Sequence, residues 1–272
     1  MTAPASSAAA PASLHNDPLV LTHIEGGVAT VTLNRGDRFN PLSVEMIAAL
    51  DTALAAVADN PAVRVVVLAA AGKAFCAGHD LGEMVATPDH GFYTRLFNAC
   101  SSTMMRLHRM PQPVIARVQG TATAAGCQLV AMCDLAIAAD TARFAVSGIS
   151  FGLFCSTPGV ALSRNVPRKT ALEMLLTGDF ISARRAAELG LVNAAVPPEQ
   201  LDEAVAGLVA RILAKPAVSV ARGKRLFYAQ AEQGIEAAYT LAEQVMADNM
   251  MDAAAQEGFR AFVEKRKPVW PA

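Results

Sequence analysis

Two short stretches of small residues have the composition of turns that direct backbone N–H groups at a ligand. One is Phe75-Cys-Ala-Gly-His-Asp-Leu81, and the other runs from Gln119 to Asp134. Each follows a short, β-branched apolar run typical of a buried strand, and each leads into a short helix. The first amides of such a helix have no intrahelical acceptor, and the helix dipole adds positive charge behind them. Two junctions of this kind could form a two-donor oxyanion hole, although small residues in a single turn can also serve packing alone.

The acidic residues near these turns have structural as well as chemical explanations. Asp80 and Glu83 have the spacing of a helix N-cap and its capping-box partner. Asp134 precedes a predicted strand. We therefore interpret all three as structural residues rather than as catalytic acids.

Histidine and cysteine are the other candidates for chemistry. The imidazole of His79 could transfer protons, and packing or a loop hydrogen bond is the alternative. Cys155 could act as a nucleophile only beside a base, for which His79 and His108 are the candidates. The alternative for Cys155 is a small apolar filler in the core.

Composition excludes several classes of function. The 272 residues, 53% of them hydrophobic, can bury the core of one large domain. A net charge of −1 and the lack of an apolar run of ~18 residues predict no nucleic-acid partner and no membrane partner. The five cysteines form no CxxC pair, which is typical of free thiols in a reducing compartment. We expect a cytoplasmic protein without a metal site.

Hydrophobic periodicity predicts the elements that position the two turns. Ser43 is a helix N-cap, and the helix ends before Pro61. A second helix is predicted over residues 91–109, and residues 147–159 are predicted to be an irregular loop. Strands are predicted at residues 20–25, 28–33, 64–70, 113–118, 135–138 and 143–146. This alternation predicts an α/β core with parallel strands and right-handed crossovers.

Helices dominate the chain after Pro167. They are predicted at residues 169–176, 182–189, 198–214, 217–232 and from 234 onwards, with one strand at 191–196. The Ala/Ser/Pro-rich residues 1–17 have neither the basic region nor the apolar region of a signal peptide, so we interpret them as a disordered tail. The predicted organisation is therefore this tail, a core domain at 18–197 and a C-terminal helical region at 198–272.

Three stretches of the sequence, taken together, resemble the crotonase, or enoyl-CoA hydratase/isomerase, superfamily. They are residues 75–81, residues 119–134 and the run Glu257-Gly-Phe-Arg-Ala-Phe-Val-Glu-Lys-Arg-Lys-Pro268. Residues 122–128 and 152–159 are most similar to the branch named enoyl-CoA hydratase domain-containing protein 3. The resemblance covers about residues 18–270. It implies a spiral core of stacked ββα turns and a C-terminal helical region that forms homotrimers or homohexamers.

The resemblance also implies an acyl-CoA thioester as ligand, with coenzyme A as part of the substrate and no separate cofactor. The two oxyanion-hole amides fall on His79 and Ala125. Each lysine or arginine assigned to the CoA site could equally be a solvated surface charge. The residues assigned to that site are Arg38, Lys73, Ala77, Asp80, Lys265 and Lys267, with the last two reaching a neighbouring subunit. Gly82 stands where many relatives have a lysine, so one phosphate contact is absent.

Both catalytic glutamates of the hydratases are replaced. Their positions fall on Gln128 and Gly148. An amide can hold a water molecule but cannot accept its proton, and glycine has no side chain to offer. The pair that adds water across an α,β-double bond is therefore missing.

The family label is enoyl-CoA hydratase, in fatty-acid metabolism, and three alternatives remain open beside it. One is another CoA-thioester reaction, namely isomerisation, hydrolysis or decarboxylation. Another is a non-catalytic acyl-CoA binder. The last is a structural subunit that pairs with an active paralogue.

Overall fold

The structure is a computed structural model that describes residues 17–271, so the predicted tail lies outside the described residues except for Asp17. Strands β1–β10 are Val20–Glu25, Val28–Leu33, Val65–Ala70, Ala74–Cys76, Val114–Val118, Thr121–Thr123, Leu135–Ala139, Arg143–Ala145, Ile181–Ser182 and Ala194–Val196. Helices α1–α11 are Val44–Ala58, Leu81–Ala86, His90–Arg109, Ala125–Met132, Ser156–Leu162, Arg168–Thr177, Ala183–Leu189, Leu201–Leu213, Ala217–Ala231, Ile235–Met250 and Ala253–Val263.

The strands form two sheets. The larger sheet has the order β1-β2-β3-β5-β7-β10, with β1 and β2 antiparallel and the other neighbours parallel. The smaller sheet has the order β4-β6-β8-β9, and its short strands β4, β6 and β8 are parallel. The strands predicted at 20–25 and 28–33 form a hairpin that turns at Gly26 and Gly27, which have φ of 56° and 82°, in the left-handed region that glycine enters without a Cβ clash.

Each turn of the chain contributes one strand to each sheet and then a helix. This repeat occurs as β3-β4-α2, β5-β6-α4 and β7-β8-α5. It is the stacked ββα arrangement that the resemblance implies, and the α/β fold class is confirmed. Because β4 and β6 are adjacent and parallel, the turns that follow them meet at the same edge of the smaller sheet.

Both faces of the larger sheet are buried, which explains why β3 is apolar at every position. One face carries α1, α3 and α4 and includes Leu68, Leu107 and Leu129 in a large core. The other face packs on α8, where Val65 and Val67 join a second buried cluster. The boundary between residues 197 and 198 stays a prediction.

Sequence periodicity detected only β8 of the smaller sheet, within the strand predicted at residues 143–146. Its strands have two or three residues, too few for an alternation of side chains to distinguish them from a turn. The prediction of an irregular loop at 147–159 was incomplete, because a 3-10 turn at Ser147–Phe151 and the start of α5 lie within it. The C-terminal helix predicted from 234 onwards is divided into α10 and α11.

Helices α8 and α9 together have the length and composition of a membrane span, but they are bent by 103°. Within residues 17–271 no single helix has that length and apolar character.

Candidate active site

The first turn, Ala77–Asp80, depends on a glycine for its packing. Gly78 has φ of 93°, and a Cβ there would lie 2.9 Å from the Cβ of Ala124 and 3.2 Å from the carbonyl oxygen of Thr123. A side chain at position 78 would therefore push the two turns apart. The amide of Ala77 donates to the carbonyl of Phe39 at 3.0 Å, which fixes the start of the turn.

The second turn has a strained residue at its apex. Ala124 has φ of 51° and ψ of −120°, a conformation that costs an L-residue on the order of 1–3 kcal/mol. Its amide donates to the carbonyl of Ala145, and its carbonyl accepts from the amide of Gln128, so the surrounding backbone holds it. Strain of this kind is common at ligand-binding sites, and here it sets the direction of the next peptide, whose N–H belongs to Ala125.

The two turns bring free amides together. Among the described residues, neither the amide of His79 nor that of Ala125 has a hydrogen-bond acceptor. A Cβ on Gly78, the residue before His79, would lie 3.4 Å from the nitrogen of Ala125. The amide of Ala125 also begins α4, so the positive end of that helix lies behind it. This arrangement can stabilise negative charge on an oxygen atom.

Both amides adjoin a mainly apolar cavity of about 220 Å³. Its lining comprises Ala77, His79, Leu81, Met84, Phe97, Ala124, Ala125, Ser147, Gly148, Phe151, Leu153, Phe154, Cys155, Ser156, Thr157 and Pro158. These residues include no carboxylate. Sequence patterns did not predict the apolar wall formed by Leu81, Met84, Phe97, Phe151 and Phe154. A partial signal was available in the cluster of large apolar residues that follows Gly148.

The imidazole of His79 is the only histidine in this lining. Its ring meets Phe97 edge-on, with 5.4 Å between centroids and 69° between planes, and its Nε2 is buried without a hydrogen-bond partner. Burial lowers the pKa of His79 to about 4, so the ring is neutral at pH 7. Nε2 makes no hydrogen bond to the loop, which was one of the two alternatives to proton transfer expected for this side chain.

The two positions assigned to the hydratase glutamates differ in their surroundings. Gln128 lies in α4, is 5% exposed, and has a buried Oε1 without a partner. Gly148 lines the cavity, and a Cβ there would lie 2.5 Å from the carbonyl oxygen of Leu153 and 2.7 Å from Sγ of Cys155. Position 148 therefore has no room for a longer side chain unless the loop moves.

Hydroxyl and thiol groups take the place of carboxylates in the cavity. Ser147 lines the cavity, and its Oγ is 2.8 Å from Oγ1 of Thr123, which lies outside the lining. Sγ of Cys155 accepts a hydrogen bond from the amide of Gly148 at 3.2 Å. Burial raises the pKa of the Cys155 thiol, and no hydrogen bond joins it to a described histidine. This environment favours the apolar-filler interpretation of Cys155 over the nucleophile.

The acidic residues have structural contacts. Asp80 caps α2, accepting from the amides of Gly82 and Glu83, and pairs with Arg38 at 3.2 Å. The predicted capping box does not close, because the carboxylate of Glu83 instead accepts from the amide of Val44 at the start of α1. Glu83 therefore ties the two helices together, while Ser43 caps α1 and Asp80 caps α2.

Asp134 lies outside the cavity lining, next to the C-terminal helices. Its carboxylate accepts from the amide of Val114, from Nζ of Lys224 and from the hydroxyl of Tyr228. His108 stacks on Tyr228, with 3.9 Å between ring centroids. His108 is therefore not positioned as a base for Cys155.

The residues assigned to coenzyme A have different surroundings. Ala77 lines the cavity, and Arg38 is held by Asp80 on the adjoining loop. Lys73 is exposed on the segment that enters β4. Lys265 and Lys267 are exposed beyond α11 and do not line the cavity. Their assignment to a ligand stays a prediction.

The chain matches the enoyl-CoA hydratase/isomerase family over residues 23–272. It is 43% identical to the rat protein named enoyl-CoA hydratase domain-containing protein 3, over 96% of this chain and 88% of the relative. A crystal structure of an enoyl-CoA hydratase from Mycobacterium smegmatis is 59% identical, with a TM-score of 0.92, covering 93% of this chain and 99% of that chain. The human enoyl-CoA hydratase domain-containing protein 3 is 42% identical, with a TM-score of 0.90 over 93% of this chain and all of that chain.

These similarities correct one prediction. The rat relative is named as a mitochondrial protein, and so are the frog, zebrafish and human relatives of the same name. The expectation of a cytoplasmic location was wrong by this comparison. Free thiols indicate a reducing compartment but cannot distinguish one such compartment from another.

Proposed function

Because the chain belongs to the enoyl-CoA hydratase/isomerase family, we propose that it binds acyl-CoA thioesters and polarises their carbonyl, with little hydratase activity. The thioester oxygen accepts hydrogen bonds from the amides of His79 and Ala125. The acyl chain occupies the apolar cavity between Phe97 and the 147–158 loop. The relatives named as enoyl-CoA hydratases support the ligand class.

One observation carries this proposal. Two amides without acceptors adjoin a cavity whose lining has no carboxylate. The amides suit an oxygen that gains negative charge, and a donor of this kind is typically worth about 10²–10³ in rate. The missing carboxylates remove the general acid and base that hydration requires. The protein can therefore polarise the thioester carbonyl without carrying out the proton transfers that hydration requires.

A backbone substitution tests the oxyanion hole directly. Replacing Ala125 by lactic acid converts its amide to an ester, which removes the N–H and weakens the Ala124 carbonyl as an acceptor for Gln128. Ala125→Pro is less suitable, because a residue before proline avoids the left-handed φ that Ala124 adopts. A hydrogen bond to a charged group implies that the ester weakens acetoacetyl-CoA, a mimic of the enolate, by about 10-fold or more in calorimetry. Free coenzyme A should bind unchanged.

The matched control is the same ester at Ala217. That residue also begins a helix, its amide has no acceptor among the described residues, and it lies outside the cavity lining. Equal losses for the two ligands at Ala125, or an equal loss in the control, would contradict the oxyanion hole. A wild-type protein that binds no acyl-CoA would contradict the proposed function itself.

A further inference from the structure

The side chain of His79 offers one nitrogen to the cavity. Its Nε2 is buried beside Phe97 without a partner, and no described residue bonds to its Nδ1. The residue as a whole is only partly buried and lines the cavity. Nδ1 has no hydrogen-bond partner and is not among the fully buried atoms, so it is the ring nitrogen that remains accessible to a ligand.

The surroundings favour a neutral ring with its proton on Nδ1. Burial lowers the pKa of His79 to about 4, and Cys155 is the only other ionisable side chain in the cavity lining. Asp80, the next residue, is turned towards Arg38 and the start of α2. A buried N–H without an acceptor is rarer than a buried acceptor without a donor, so the lone pair belongs on Nε2 and the proton on Nδ1.

The position of His79 determines which ligand atom the proton on Nδ1 can reach. The residue already contributes its backbone amide to the proposed oxyanion hole. Only Cα, Cβ and Cγ separate Nδ1 from that backbone nitrogen, so the two N–H groups of His79 stay close to each other. Both can therefore approach one oxygen atom of a ligand in the cavity.

We propose that the neutral imidazole of His79 is a third hydrogen-bond donor to the thioester oxygen, beside the amides of His79 and Ala125. This inference rests on the proposed function. It makes the site selective for acyl-CoA ligands whose thioester oxygen carries negative charge, as in an enolate. The imidazole donates a hydrogen bond without transferring its proton, which suits a weak base that stays neutral at pH 7.

Packing against Phe97 is the competing explanation. An apolar ring would make the same edge-on contact without leaving Nε2 unpartnered in a buried position, which is unfavourable. Packing alone therefore gives no reason for a histidine at this position. A donor role gives one.

Two substitutions of similar size separate the donor from the packing role. His79→Asn retains an N–H close to the position of Nδ1, whereas His79→Leu removes it, and both keep the backbone amide. We expect His79→Leu to weaken acetoacetyl-CoA by about 10-fold in calorimetry and His79→Asn to weaken it less than about 3-fold. Free coenzyme A should bind equally to all three proteins.

The outcomes distinguish the two proposals. If wild type binds acetoacetyl-CoA and His79→Leu binds it equally well, the donor role is overturned and the proposed function stands. If His79→Asn loses as much as His79→Leu, the donor role is also overturned. If wild type binds no acyl-CoA, the proposed function fails and the donor role fails with it.

Nitrogen-15 NMR of the wild-type protein gives a measurement that needs no substitution. With acetoacetyl-CoA bound, we expect the His79 ring to be neutral and protonated on Nδ1 at pH 7, because burial lowers its pKa to about 4 in the ligand-free protein. A charged ring at pH 7, or a neutral ring protonated on Nε2, would overturn the inference. Because the spectrum reports the proton itself, a variant that fails to fold leaves the inference testable.

Discussion

At the residue scale, the site is defined by what replaces two glutamates. Gln128 is buried in α4, and Gly148 lies against Leu153 and Cys155. The crowding at Gly148 follows from the turn at Ser147–Phe151, which folds the loop back on itself. Leu153 and Cys155 therefore occupy the space that a side chain at position 148 would need.

We predict that wild type hydrates crotonyl-CoA far below a typical enzyme rate of ~10 s⁻¹. A positioned acid or base is worth about 10²–10⁴, and the two contributions do not multiply when the groups act as a unit. Gln128→Glu alone should not restore hydration, because its partner position lacks a carboxylate. The loss of enoyl absorbance measures this rate.

Gly148→Glu needs its own control, because its Cβ would meet a backbone oxygen 2.5 Å away. Gly148→Gln introduces the same crowding with a neutral amide in place of the carboxylate, so any difference between the two variants isolates the charge. We expect both to lower the thermal midpoint. Wild-type hydration at ~10 s⁻¹ or faster would refute the prediction and require another residue to move the proton.

At the element scale, a buried ion pair fixes α9 to the core. Nζ of Lys224 donates to Asp134 at 2.7 Å and also to the carbonyls of Leu107 and Gln112. Its side chain is 7% exposed and that of Asp134 is 13% exposed. Burial lowers the pKa of Lys224, an effect that the nearby Asp134 partly offsets. An ion pair of this kind contributes little to the net free energy of folding. Removing either partner is nevertheless strongly destabilising, because the other charge stays buried without a counter-charge.

We predict that Asp134→Asn lowers the free energy of unfolding by about 3 kcal/mol, because it leaves the Lys224 charge buried without its counter-charge. Asp51→Asn is the matched control, since Asp51 pairs with Arg106 at a similar distance on a more exposed surface. That loss should be less than about 1 kcal/mol. Urea unfolding at fixed protein concentration measures both, and equal losses would contradict the buried-pair argument.

At the scale of the whole molecule, the C-terminal helices expose an apolar surface. The exposed side chains include Ile235, Tyr239, Met246, Phe259 and Phe262, the last of which is 83% exposed. No apolar residue of α9 or α10 is buried in the single chain. A monomer rarely leaves so much apolar area in water, so this surface is suited to contact with other subunits.

We predict a homotrimer or homohexamer in solution, with a molar mass three or six times that of one chain in light scattering. Phe262→Lys places a charge on the apolar surface and should lower the assembly size. Gln233→Lys, at an exposed polar position between α9 and α10, should leave it unchanged. A wild-type monomer at micromolar concentration would contradict the prediction and remove the basis for assigning Lys265 and Lys267 to a neighbouring subunit.

The sequence by itself determined the elements whose patterns are long enough to recognise. The hairpin of β1 and β2 lies at the predicted residues, Ser43 caps α1 through the amide of Met46, and Asp80 caps α2. Helix caps and alternating strands can be predicted from local sequence, because the residues that form the pattern are the same residues that form the cap or the strand. The motif order was sufficient to identify the family and the positions of both turns.

The tertiary structure decided what depends on distant parts of the chain. Glu83 has the spacing of a capping box, yet it caps α1 because that helix starts beside it in space. In the sequence Gly148 resembles any loop glycine, and only the fold places the carbonyl of Leu153 against it. The burial that keeps His79 neutral comes from a cavity whose walls include Phe97 of α3 and the distant 147–158 loop, and no local pattern of residue types encodes that packing.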